Sequence, residues 1–219
     1  MKIKKHIPNF LTLMNLLCGC IAISMIFNER YFVVVILVFI AALFDFADGM
    51  IARLFNAKSE IGKDLDSLSD MVSFGVLPGF ILFKMIINSN NLPDINIINT
   101  NIIPFAAFLI PLFSALRLAK FNNDSRQSNF FIGLATPANT LIIASLSMII
   151  LVADNNVDNF FYTMLYKILT DYKSLIFITI FLSIMLVIPL PLISLKFQNS
   201  SKNDIIAKVV FLLLSIILI

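Results

Sequence analysis

The sequence predicts an all-α polytopic membrane protein, a six-transmembrane-helix bundle, and three observations point to it. Of 219 residues, 59% are hydrophobic and 13% charged, whereas soluble domains carry about 25% charged residues. The apolar residues come in long runs, and a run of about 20 spans a bilayer as a helix because lipid leaves no other partner for backbone groups. Lys and Arg also fall on alternate sides of these runs, as chain orientation in a membrane requires.

The runs that satisfy the length condition are Ile7–Phe27, Tyr31–Arg53, Leu65–Ile87, Ile102–Leu118, Phe130–Ala153 and Leu175–Leu195. A seventh, Ile205–Ile219, holds about 15 residues, short of a span, and is read as a partial helix at the C-terminus. Residues 1–200 are therefore expected to form one membrane domain, followed by an additional, incomplete apolar helix over 201–219. The breaks have turn chemistry: Asn88–Asn101 is Asn-rich and contains Pro93, and Asp154–Asn159 reads D-N-N-V-D-N. Tyr162 and Tyr166 suit the headgroup level.

Lys2, Lys4, Lys5, Arg53, Lys58, Lys63, Arg117, Lys120, Arg126, Lys196, Lys202 and Lys208 share one side, against Arg30, Lys84, Lys167 and Lys173 on the other. The richer side is expected to be cytoplasmic, with the N-terminus inside and the chain multi-pass in the cell's inner (cytoplasmic) membrane. A formal net charge of +3 gives no footprint for a nucleic-acid partner. Cys18 and Cys20, two apart, do not share a helix face and read as packing residues. His6, the one histidine, belongs to a basic interfacial head.

Four carboxylates interrupt this pattern. Asp45 and Asp48 are three apart near the end of the second run, and Asp66 and Asp70 four apart at the start of the third. Both spacings put a pair on one helix face. A short connection makes the two helices antiparallel, with all four groups at similar depth. Such a cluster repels itself and is costly to desolvate unless cations join it, and oxygen-rich ligand sets favour hard ions such as Mg²⁺ or Mn²⁺. Glu60 and Asp64 read as ordinary helix-end charges. Gly49, Ala52 and Gly62 leave room for a ring or a diphosphate to approach the backbone. Arg53 can clamp a phosphate or pair with an aspartate.

The pattern Asp45-x-x-Asp48-Gly49-x-x-Ala52-Arg53, eight residues, Gly62-x-x-x-Asp66-x-x-x-Asp70 resembles the signature of the CDP-alcohol phosphatidyltransferases. Four further stretches resemble the phosphatidylserine-forming branch of that family: Ile7–Gly19, Asp66–Pro78, Ser114–Asn122 and Phe131–Ala138. Lys120 stands where that branch is expected to carry Arg, and Ala135 where it is expected to carry Pro.

The resemblance implies a membrane-bound, homodimeric enzyme that moves a phosphatidyl group from CDP-diacylglycerol to L-serine, releasing CMP. It implies two Mg²⁺ or Mn²⁺ ions on Asp45, Asp48, Asp66 and Asp70, with Asp70 as general base. It implies CDP binding by Asp48, Gly49, Ala52, Arg53 and Gly62, with Asn9, Thr12 and Asn15 of the first helix behind them. Arg117 and Lys120 are expected at the serine carboxylate or the lipid phosphate. Two other readings stand beside it: the same chemistry with glycerol 3-phosphate or inositol as acceptor, and a carboxylate-lined cation transporter.

Overall fold

Long apolar runs with breaks of Asn, Pro and Gly should fold into helices that end at those breaks. The computed structural model describes residues 6–55, 59–123, 131–154, 160–189 and 191–192. Its helices are α1 (His6–Phe27), α2 (Tyr31–Leu54), α3 (Glu60–Asp70), α4 (Leu77–Ile87), α5 (Leu109–Asn123), α6 (Thr136–Asp154), α7 (Phe160–Thr170) and α8 (Tyr172–Val187). A π-helical segment, Met71–Val76, joins α3 to α4 without a break, and a 3₁₀ segment, Ile103–Phe108, leads into α5. Five helical stretches are long and apolar enough to cross a membrane, and α8 is a shorter apolar helix. The run Ile205–Ile219, the additional helix expected over 201–219, and Lys2, Lys4, Lys5, Lys58, Arg126, Lys196, Lys202 and Lys208 lie outside the described residues.

Element boundaries shift where local chemistry overrides hydropathy. The third span starts at Glu60 rather than Leu65, because the Ser59 hydroxyl accepts from the Gly62 amide and caps a polar first turn. The continuous helix Glu60–Ile87 has 28 residues, about 42 Å at 1.5 Å per residue, against about 30 Å of hydrocarbon. The helix is therefore longer than the apolar slab is thick, and its polar first turns, which carry Asp66 and Asp70, are the end suited to project from it. The fifth span begins at Thr136, after Gly133 at φ 78°, not at Phe130. The sixth stops at Val187 instead of reaching Leu195, because Ile188 precedes Pro189 and takes an extended conformation. Phe160–Thr170, outside the expected spans, forms α7.

Two small antiparallel pairs complete the architecture: β1 (Asn96–Ile97) with β2 (Thr100–Asn101), and β3 (Phe131–Ile132) with β4 (Pro191–Leu192). The first closes through Ile98 and Asn99, both with positive φ, the backbone of a type I′ hairpin turn.

The bundle is organised around α1. Its inward face is Thr12, Asn15, Cys18, Gly19, Ala22 and Ile26, while Phe10, Leu13 and Leu17 face outward. The inward residues are mostly small, which lets neighbouring backbones approach closely. A Cβ on Gly19 would collide with Ser73 of the π segment. α1 packs along α2 and also along α3 and the π segment, whereas α2 and α3 scarcely touch each other. The carboxylate-bearing helices are thus braced by a third one. At the opposite end, Phe80, Phe83, Phe105 and Phe108 interlock with centroid separations of 5.3–6.4 Å.

Candidate active site

A buried carboxylate needs donors or cations around it, so the partners of the four aspartates define what this region can do. Asp48 is buried, and Asp45 and Asp66 are half-buried. One carboxylate oxygen from each of the three lies within 4.8 Å of the others, close enough to share a metal ion. Asp70, one turn beyond Asp66, lies against Asp45. All four expected carboxylates converge although the backbones of α2 and α3 scarcely approach each other.

Helix α1 supplies donors to two of them. The Thr12 hydroxyl donates to Asp48 Oδ2 at 2.5 Å, and Asn15 Nδ2 donates to Asp70 Oδ1 at 3.2 Å. In the opposite direction, Ser69 Oγ donates to the Thr12 carbonyl at 2.9 Å and Ser73 Oγ to the Asn15 carbonyl at 3.0 Å. Ser69 and Ser73 therefore lock α1 onto α3 and the π segment at the same residues whose side chains orient the acids. The sequence carried a signal for this pair: hydroxyls four apart, in register behind Asp66 and Asp70, inside an apolar span. Thr12 and Asn15, expected behind the CDP contacts, touch the carboxylates directly.

Beside the acids opens a cleft of about 540 Å³, lined by Pro8, Asn9, Thr12, Asp48, Gly49, Ala52, Ser59, Glu60, Gly62, Lys63 and Asp66. Gly49 has nothing within 4 Å of where a Cβ would point, so its missing side chain leaves the cleft open at the carboxylates. Gly62 is different: a Cβ there would press on Ser59 Oγ and Asn9 Oδ1. Arg53 is exposed, and its Nε donates to the Gly49 carbonyl at 2.9 Å. Glu60 lines the cleft as well as opening the helix. Lys63, not singled out in the sequence, also lines it, and its ammonium donates to the Asn122 carbonyl at 3.0 Å.

The two expected acceptor residues separate. Arg117 is buried within Coulombic reach of Asp70, and its Nε has no hydrogen-bond partner. Lys120, one turn later, is exposed. Among the described residues, the buried polar side-chain atoms without a partner are Asn15 Oδ1, Asp66 Oδ1, Ser114 Oγ, Arg117 Nε, Thr136 Oγ1, and Nδ2 and Oδ1 of Asn139. An unsatisfied buried polar group costs about 1–3 kcal/mol, so those of Asn15, Asp66 and Arg117, which lie at the acidic cluster, suit a site that takes a ligand.

A divalent cation fits this donor set: three convergent carboxylates, one with an unpartnered oxygen, and a neutral hydroxyl fixing another.

Comparison with known proteins agrees with this chemistry. The family model described as CDP-alcohol phosphatidyltransferase matches residues 5–172. A CDP-diacylglycerol–serine O-phosphatidyltransferase of Bacillus subtilis is 33% identical over 142 residues, covering 65% of this chain and 75% of the relative. One of the same name from Helicobacter pylori is 29% identical over 208 residues, covering 85% and 84%. An archaetidylserine synthase of Methanothermobacter thermautotrophicus is 32% identical over 142 residues, covering 64% and 56%.

Proposed function

This chain belongs to the CDP-alcohol phosphatidyltransferase family, and on that footing we propose that it transfers the phosphatidyl group of CDP-diacylglycerol to the hydroxyl of L-serine, giving phosphatidylserine and CMP. The observation that carries the reading is the convergence of Asp45, Asp48, Asp66 and Asp70 at the edge of an open cleft. The relatives' names support the acceptor. They differ in the lipid, diacylglycerol in one and archaetidyl in another, and agree on serine.

Asp45, Asp48 and Asp66, with Asp70 adjoining, would hold Mg²⁺ or Mn²⁺, two ions by resemblance. Bound there, the cation would neutralise the diphosphate and the charge developing on its oxygens. The cleft residues Gly49, Ala52, Gly62, Asn9 and Lys63 receive the CDP moiety, with Arg53 at its rim. Asp70, oriented by Asn15, takes the proton from the serine hydroxyl as that oxygen attacks the phosphorus attached to the lipid. The new O–P bond forms as the bond from that phosphorus to the bridging oxygen of the diphosphate breaks, and CMP leaves with that oxygen on its phosphate. General-base assistance of this kind contributes about 10²–10⁴-fold. Arg117 faces the acceptor's carboxylate. The same reading makes the protein a homodimer in the inner membrane. Its site and N-terminus are cytoplasmic, and residues 1–200 are its catalytic domain.

Purified protein in detergent with Mn²⁺ or Mg²⁺ and CDP-diacylglycerol tests this by CMP release against separate acceptors. Release is expected with L-serine and not with glycerol 3-phosphate or myo-inositol. Release with one of those alone sinks the serine assignment and keeps the family. Metal flux in vesicles without CMP release would favour a transporter instead.

A further inference from the structure

We propose that Asn139 and Thr136 of α6, together with Ser114 and Arg117 of α5, the two helices that flank the π segment, form the acceptor pocket and select a free zwitterionic amino acid by its ammonium and carboxylate groups. This rests on the serine reading above and deepens it, since none of Asn139, Thr136 and Ser114 belongs to the signature that identifies the family.

The geometry comes from three contacts. The Thr140 hydroxyl lies 3.0 Å from the Phe74 carbonyl and is buried there, which fixes α6 beside Phe74. Thr136 is four residues before Thr140, as Asp70 is four before Phe74. With both helices running the same way, Thr136 is level with Asp70. On the other flank, Ser114 Cβ lies 3.2 Å from where a Cβ on Gly75 would be, and Arg117 is one turn further along α5 toward Asp70. α5 and α6 each pack on the π segment and scarcely on each other. The π turn, a device often found at functional sites, thus carries polar side chains of both neighbouring helices at the depth of the general base.

The chemistry of the unpartnered atoms specifies the ligand. Arg117 offers a cationic donor, which suits a carboxylate. Asn139, wholly buried, has both amide atoms free, and Ser114 and Thr136 have free hydroxyls. Neutral oxygens at the depth of an acidic cluster suit an ammonium group. A phosphate-bearing acceptor would call for further cations, and among these side chains Arg117 is the single one. Sites that hydrogen-bond a substrate group reject analogues lacking it by large factors, because their own polar atoms are then left unpaired.

The test measures serine and CDP-diacylglycerol kinetics for wild type, Asn139→Leu and Asn139→Ser, with 3-hydroxypropionate (serine without its ammonium) as a second acceptor. The variants are expected to raise the serine KM about tenfold or more, with the CDP-diacylglycerol KM within about twofold of wild type. They should also erode the preference for serine over 3-hydroxypropionate about tenfold, a readout that a packing role would not move. Absence of serine-dependent turnover by wild type would overturn the parent reading. Serine turnover by wild type with an unchanged serine KM and preference in folded variants would overturn the pocket alone. Failure of both variants to give a cooperative thermal transition would overturn it too, by assigning Asn139 to the fold.

Discussion

At the residue scale, the site depends on neutral groups that position charged ones. Thr12 holds Asp48 through one hydrogen bond, and groups that orient metal ligands typically control about 10–100-fold in metal affinity. Thr12→Val, nearly isosteric, should raise the Mn²⁺ concentration for half-maximal activity at least about tenfold, measured by metal titration of CMP release. Gly49 makes a second prediction of opposite sign on stability and function. Open space surrounds its missing side chain, and Ala in a helix interior is favoured over Gly by up to about 1 kcal/mol. Gly49→Ala should melt no lower than wild type, while Gly49→Leu, also folded, should raise the CDP-diacylglycerol KM at least about tenfold, or about 1.4 kcal/mol.

These residues were unequally legible. Asp45, Asp48, Asp66 and Asp70 could be read because carboxylates in apolar runs have few structural uses. Asn139 escaped notice because short polar side chains occur singly in many spans, and only the burial of its unpartnered atoms separates it from the rest. Arg53 was legible as a cation but not as a side chain turned back on the Gly49 carbonyl.

At the scale of elements, α1 is the brace of the site, and its contact with the π segment is where the bundle is tightest. Gly19 faces Ser73 with no room for a Cβ, and overpacking of this kind costs about 1–3 kcal/mol. Gly19→Leu should lower the thermal transition in detergent and reduce activity together, whereas Gly49→Leu should reduce activity alone. Melting curves beside kinetics distinguish the two. Hydropathy located α1 and α2 nearly to the residue, since both are uninterrupted apolar runs. It misjudged the start of α3 because a capped polar turn has no hydropathy signal, and the end of α8 because Pro189 stops a helix whatever its neighbours' polarity. The π segment has no sequence signature that a 3.6-residue period would reveal.

For the whole molecule, the polar functions gather at one end and the aromatic cluster at the other. If the basic side is cytoplasmic, the cleft at Ser59–Lys63 and the hairpin at Ile98–Asn99 open to opposite compartments. In a variant lacking Cys18 and Cys20, Asn99→Cys should react with a membrane-impermeant maleimide in intact cells, and Ser59→Cys only after the membrane is breached. The reverse labelling would invert the proposed topology. The apolar exterior of α1, α2 and α8, including Phe10, Leu43, Phe177 and Phe181, is the surface expected to meet lipid and to keep acyl chains close to a site at the membrane edge.

The central claim is that these aspartates move a phosphatidyl group onto serine. Its most direct measurement is incorporation of isotopically labelled L-serine into extractable lipid by the purified protein. The assay would supply CDP-diacylglycerol with Mn²⁺ or Mg²⁺, and compare wild type with Asp70→Asn. Labelled phosphatidylserine is expected from wild type, abolished by chelation, and reduced about 10²-fold or more in the variant while CDP-lipid binding persists. Equal incorporation by Asp70→Asn, or none by folded, metal-loaded wild type, would contradict it.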